Sequence, residues 1–137
     1  MANRTRPRRS NARQLLHSIG CSQGCARICG HPAPLLVRGG QATELDPPEP
    51  APPLGLGPRP EPLRLRLALG DRILLYTDGV SEARARGGFF PLQAAAAFAL
   101  VSADLEAGLE TLWAELQRHV AGQLHDDVAL LLIERSS

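Results

Sequence analysis

An aspartate, Asp78, stands directly after the largely apolar run Arg72–Thr77, and a pair, Asp126-Asp127, stands directly before the apolar run Val128–Ile133. If the two runs are neighbouring antiparallel strands, the end of one lies beside the start of the other, and the carboxylates meet at one edge of a sheet. Like charges held close repel and raise each other's pKa unless a cation sits between them. Oxygen-only donors at such a point suit Mg²⁺ or Mn²⁺. Gly79 fits that arrangement, because it lets backbone approach a ligand with no Cβ in the way. A conformational reading stands beside the chemical one: Asp-Gly is a turn signal, and aspartates commonly flank strands. The spacing alone leaves both open. Glu82 reads as an exposed charge.

The elements that must position these residues can be read along the chain. Ala26–Cys29 reads as a strand, broken by Pro32 and Pro34. Leu35–Arg38 and Gln41–Leu45 form a hairpin around Gly39-Gly40. Asp46 to Pro62 holds eight prolines, so it is a surface loop, and the Leu54–Gly57 stretch within it is expected to pack back onto the domain. Leu63–Leu69 alternates as a half-buried strand, and Arg72–Thr77 is apolar on both faces and therefore central. The tight turn Gly70-Asp71 between them implies that these two pair antiparallel. Phe89–Val101 reads as a helix with Pro91 near its start. Ser102 and Asp104 offer caps for a second helix, whose apolar face is Leu105, Leu109, Leu112, Trp113, Leu116 and Val120, and which Gly122 ends. Strands, then two helices, then a strand make an α+β fold with helices packed on a largely antiparallel sheet.

Composition narrows the function classes. The chain has 137 residues, 44% of them hydrophobic, which favours one folded domain. No apolar run reaches the length of about 18 residues that a membrane helix needs, and no signal-peptide core is evident, so a cytoplasmic protein without membrane contact is expected. The net charge of +1 hides an asymmetry: seven arginines and no acid precede Glu44, whereas 14 acids and eight arginines follow from there. Residues 1–25 read as a basic, disordered segment rather than a nucleic-acid contact. Cys21, Cys25, Cys29 and His31 have the right number of ligands for zinc but a poor spacing, so small residues in or near a strand are the expected account.

Four blocks carry a family resemblance. Gly70–Ala83, "GDRILLYTDGVSEA", resembles the "GDxLLLYTDGVTEA" block of bacterial PPM-type serine/threonine phosphatases, the protein phosphatase 2C class, in its SpoIIE-like branch. Gly30–Leu36 is similar to their "GHPPPLL", Pro53–Leu56 to their "PLGL", and Asp126–Leu131 to their closing "DDVALL". The resemblance spans residues 26–135 and implies part of an α-β-β-α sandwich with mainly antiparallel sheets. It further implies hydrolysis of phosphoserine or phosphothreonine by metal-bound water, with no protein nucleophile and with Mn²⁺ or Mg²⁺ as cofactor. Matched position by position, Asp78 and Asp126 would be metal ligands, with Gly79 and Asp127 in support. The resemblance assigns His31 no firm role; a structural turn histidine is expected ahead of a proton donor. The implied partner is a phosphoserine or phosphothreonine protein, an anti-sigma factor antagonist being the type the relatives suggest.

The resemblance stops short at the N-terminal side. Nothing here is similar to the family's opening "GDVxGHG" block, whose aspartate bridges two metals, so an N-terminally truncated domain with impaired activity is expected. The alternative is a non-catalytic fragment, or pseudophosphatase, that acts as a protein-binding module. A sheet left uncovered in such a fragment would favour self-association.

Overall fold

The computed structural model describes residues 23–49, 51–53, 55–57 and 60–136. The first strands are β1 (Gln23–Ala26), β2 (Leu35–Arg38), β3 (Gln41–Glu44), β4 (Leu63–Arg66) and β5 (Arg72–Tyr76). A helical turn, α1 (Asp78–Ser81), and a minimal hairpin, β6 (Arg84–Ala85) with β7 (Gly88–Phe89), follow. Two helices, α2 (Leu92–Ala99) and α3 (Leu105–His119), precede the last strand, β8 (Leu130–Glu134). The main sheet has the order β3-β2-β5-β8, antiparallel throughout, and β1 and β4 form a separate two-stranded sheet. The α+β class expected from the order of elements is what the chain adopts.

β5 explains the layering. Its side chains alternate, and both faces are apolar. Leu74 points to the helical side, where it is buried with Leu35, Val37, Ala96, Leu100, Leu112 and Leu116. Ile73 and Leu75 point the other way and pack with Leu67, with Leu36, Leu65 and Ile133 against them. Helices therefore cover one face of the main sheet, and the β1–β4 sheet covers part of the other. Leu131 lies opposite Leu75 in the β5–β8 register and shares that second face, yet it is 46% exposed.

The helices form where the pattern predicts. Asp104 caps α3 by accepting hydrogen bonds from the Glu106 and Ala107 N–H groups. The face of α3 buries Leu112 and Leu116. Gly108 lets α3 approach the end of α2: a Cβ there would lie 3.1 Å from the Ala99 carbonyl oxygen. Beyond the helix, Gly122 has φ +78° and its N–H donates to the Gln117 carbonyl, which closes the last turn.

Four expectations need correction. The first strand is Gln23–Ala26, not Ala26–Cys29, so the boundary drawn at residue 25 falls inside β1; residues 1–22 lie outside the described residues. β4 and β5 do not pair with each other. β4 pairs with β1, because Leu67–Gly70 carries the chain from one sheet to the other. Asp71 fastens that crossing: its carboxylate accepts from Ala68 N, and from Arg38 Nε at 2.9 Å. Leu56 does not pack back, being 75% exposed, while Leu54 lies outside the described residues. The proline-rich loop is instead tied down by its backbone, where Gly30 N–H donates to Ala51 O. Finally, α1 and the β6–β7 hairpin occupy a stretch where no strand or helix was expected, save Phe89, which was read as the start of a helix but ends β7, so that α2 begins only at Leu92.

Two buried polar residues hold the layers together. Arg72 is 7% exposed; it donates to Glu134 Oε2 on β8 at 2.7 Å and to the Leu100 carbonyl at 2.6 Å, and reaches the Ser102 and Ala103 carbonyls. It thus satisfies the end of α2 while bridging β5 to β8. Arg72→Met should lower unfolding free energy by about 3 kcal/mol, since it orphans buried carbonyls and an acid together; urea denaturation measures this.

Asp71 gives a pH signature. Its hydrogen bond to Arg38 holds the carboxyl below the usual carboxylate range, against the opposing effect of burial, and the Ala68 N–H adds to the lowering. A depressed folded pKa stabilises above the unfolded value, and that contribution is lost as pH falls through the folded one. Stability should therefore fall with acid below the ordinary value of 3.8. Asp71→Asn should flatten that acid limb when denaturation is followed across the same range.

Candidate metal-edge site

The antiparallel pairing of the two acid-bearing strands is present. β5 pairs with β8 from Arg72↔Glu134 to Tyr76↔Leu130. One residue further, Thr77 extends the contact with both backbone and side chain. Its N–H donates to Ala129 O at 3.2 Å. Its hydroxyl Oγ1 donates to Asp127 O at 3.0 Å and accepts from Ala129 N at 3.0 Å. Thr77 therefore clamps the strand end that carries Asp78 to the segment that carries Asp126 and Asp127. Sequence reasoning passed over this residue; the available signal was a hydroxyl placed between an apolar strand and an aspartate.

Gly79 is buried and is needed for a steric reason. A Cβ at this position would lie 2.4 Å from Asp127 O and 3.1 Å from Asp127 C. The two backbones meet here with no space for a side chain. The sequence-predicted residues Asp78, Gly79, Asp126 and Asp127 are thus brought to one sheet end, with all three aspartates exposed. Asp78 Oδ1 accepts from Gly79 N at 3.0 Å, and Asp126 Oδ1 accepts from Asp127 N at 2.7 Å. Each of these carboxylates orients itself through one oxygen and leaves the other without a hydrogen bond among the described residues.

A cavity of about 270 Å³ opens beside this edge, lined by Gly79, Glu82, Arg84, His125 and Asp126 among others. Glu82 is exposed, as expected. Tyr76, one residue before Thr77, has its phenol pushed up to about 12, first by burial and then by Glu44 and Asp46, so it stays neutral beside the site. Among the described residues, no group of three or more His, Cys, Asp or Glu side chains is arranged to hold a metal ion. Cys25 and Cys29 are free thiols and His31 is exposed in a turn, while Cys21 lies outside the described residues.

With strands, carboxylates and close backbone approach in place, comparison with known proteins gives the family. The family model for stage II sporulation protein E (SpoIIE) matches residues 25–136. The chain belongs to the SpoIIE family. Among solved structures, the RsbU and RsbW domains of a Mycobacterium tuberculosis protein are 29% identical, with a TM-score of 0.70 over 85% of this chain and 33% of that one. The SpoIIE phosphatase domain from Bacillus subtilis, presoaked with Mn, is 17% identical, with a TM-score of 0.65 over 83% of this chain and 51% of that one. The catalytic domain of the serine/threonine protein phosphatase PstP in complex with two manganese ions is 17% identical, with a TM-score of 0.61 over 84% of this chain and 54% of that one. The fold is that of PPM phosphatases, and this SpoIIE-family chain spans between a third and about half of the length of these structures.

The clamp is testable without catalysis. Gly79→Ala should cost about 2 kcal/mol or more in unfolding free energy, since its Cβ meets backbone that cannot swing aside. Thr77→Val should cost about 1–2 kcal/mol, and Thr77→Ser should restore most of the loss. Thermal and urea unfolding of the three variants would check the order.

Proposed function

We propose that residues 26–135 form a PPM-type phosphatase domain that hydrolyses phosphoserine or phosphothreonine in a protein, with Asp78 and Asp126 as ligands of Mn²⁺ or Mg²⁺. The observation that supports this most is the convergence of Asp78 and the Asp126-Asp127 pair at the end of β5 and the start of β8, across a backbone contact that admits only glycine. The donor chemistry fits a hard divalent cation: carboxylates, exposed enough to admit water as the remaining ligands. When bound, the metal would supply an activated water and neutralise phosphate oxygens. Asp78 and Asp126 would hold it. Thr77 fixes the distance between their backbones, and Gly79 with Asp127 sets the close approach. Glu82, Arg84 and His125 line the adjoining cavity, where the flank of a phosphopeptide has space.

The Mycobacterium tuberculosis relative carries RsbU and RsbW domains in one protein, which favours a substrate of the anti-sigma factor antagonist type. Among the described residues no helix is long and apolar enough to cross a membrane, which accords with work in the cytoplasm. Pairing of two copies through the uncovered sheet face around Leu131 belongs to the same reading. A second reading rests on one observation: the described residues offer fewer than three clustered ligands. On that reading the chain is a non-catalytic module that binds a phosphoprotein through the same edge.

Two measurements separate these readings. Calorimetric titration with Mn²⁺ should show binding that Asp78→Asn and Asp126→Asn each weaken by roughly tenfold or more, given that even outer-shell changes cost about that much. Phosphate release from a phosphoserine peptide should require Mn²⁺ and be lost in both variants. Mn²⁺ binding that ignores both substitutions would overturn the ligand assignment. Binding that depends on them, without hydrolysis, would select the module reading.

A further inference from the structure

From Gly87 to Ala103 no residue carries a charge. Helix α2 lies inside this stretch and has two apolar stripes where a surface helix needs one. The inner stripe, Leu92, Ala96 and Ala99, is buried in the core on the helical side of the sheet. The outer one, Pro91, Ala94, Phe98 and Val101, runs from the cap to just past the last turn and is exposed throughout. Its spacing of three, four and three residues is that of a seam between paired helices. A helix lying on a sheet normally turns charged residues to that side. Here Phe98 is 70% and Val101 59% exposed.

Beside Phe98 runs an open groove of about 500 Å³. Pro91, Ala95 and Phe98 line it from the α2 side, and Glu115 and Arg118 from α3. The groove is pre-formed. Phe90 and His119, which also line it, meet edge to face with ring centroids 5.5 Å apart, and His119 Nε2 lies 3.0 Å from the Gly88 carbonyl oxygen. These contacts hold α3 against the β6–β7 hairpin. The acid and the arginine that line the groove, Glu115 and Arg118, pair with each other at 2.8 Å, so their charges cancel.

These features select the occupant. A charged segment or an anionic lipid surface would leave its charge unmatched on so neutral a face. A neutral helix with a projecting apolar side chain fits, and α2 is itself such a helix. A two-fold interface demands that one patch carry both a projection and the recess that receives it. Phe98 and the groove lie side by side in that way. Antiparallel pairing of two α2 helices would bring Phe98 of each copy over Ala94 of the other, a bulky residue against a small one. The Glu115–Arg118 pairs are self-complementary too, because a surface ion pair exchanges partners at little cost. We propose that the outer seam of α2 pairs with that of a second copy of the chain, antiparallel about a two-fold axis, with each Phe98 seated in the α2–α3 groove of the other copy. The inference stands apart from the metal-edge reading, because none of these residues belongs to that site. It also differs from pairing around Leu131, which lies on the opposite face of the main sheet.

Sedimentation velocity of the full chain across the micromolar range tests it. The expected result is a monomer–dimer equilibrium, weak because so short a seam buries less than a standard interface. Phe98→Ser and Ala94→Arg should each weaken dimerisation by roughly tenfold or more, while Phe98→Leu keeps most of it. Both positions are exposed, so circular dichroism should show unchanged folding. Adding Leu131→Ser to each chain, to silence the open sheet face, should leave the same order of dimer strengths. A chain that stays monomeric at every concentration would overturn the proposal. So would a dimer indifferent to Phe98→Ser or to Ala94→Arg, or one that Leu131→Ser alone dissolves.

Discussion

One strand, β5, sets what every other part of the chain can do. It is buried along Arg72–Leu75 and pairs on both edges, with β2 and with β8. A strand apolar on both faces must be covered on both, which is why helices lie on one side and the small β1–β4 sheet on the other. Its pairing with β8 is fastened at both ends. Arg72 and Glu134 close one end, and the Thr77 hydroxyl closes the other against Asp127 and Ala129. Between those two fastenings the register cannot slip by a residue without moving every leucine of β8 to the wrong face. The position of the acids therefore follows from core packing. Asp78 and Asp126 need no contact with each other to be held at one place.

Much of this was legible because it is local. Gly39-Gly40 between two apolar pairs marks a hairpin, and the three-and-four spacing from Leu105 to Val120 marks a helix. Asp104 three residues before Ala107 marks its cap. The placement of Asp78 beside the Asp126-Asp127 segment was legible only on the condition that the two apolar runs are neighbours. Among the described residues they are, with β5 inside the sheet and β8 beside it at the end of the strand order. What could not be read was non-local. Leu63–Arg66 has the alternation of a half-buried strand, but alternation does not name the partner. The chain bends at Leu67–Gly70 into the other layer because Asp71 finds Ala68 N and Arg38, and Arg38 lies 33 residues away. The two-residue strands β6 and β7 carry too few residues for any period to register.

The two arginines at the base of β5 show how charge can be built into such a core. Arg38 meets Asp71 with one end in solvent, and its partner is nearly buried. That geometry keeps the ion pair hydrated on one side and limits the desolvation cost. Arg72 is the harder case, being almost fully buried. It is tolerated because its guanidinium fork matches several carbonyls at the end of α2 as well as the Glu134 carboxylate. A lysine has one compact charge and could not reach that many acceptors in one plane. These polar contacts lie at the end of the sheet opposite to the acids, so the structural charges and the candidate chemical ones are kept apart.

That separation bears on what a chain spanning about half of its relatives can retain. The helical face is complete: α2 and α3 bury one side of the main sheet in a continuous cluster. The opposite face is covered in part, and Leu131 lies open on it. Folding information and site information are therefore distributed unevenly. The packing that fixes the strand ends comes from the helical side and is present in these residues. Ligand number depends on how many carboxylates converge at the sheet end, and that number is independent of how well the strands are packed. Thr77 and Gly79 hold the end of β5 against the Asp126-Asp127 segment, whatever number of ligands converges there.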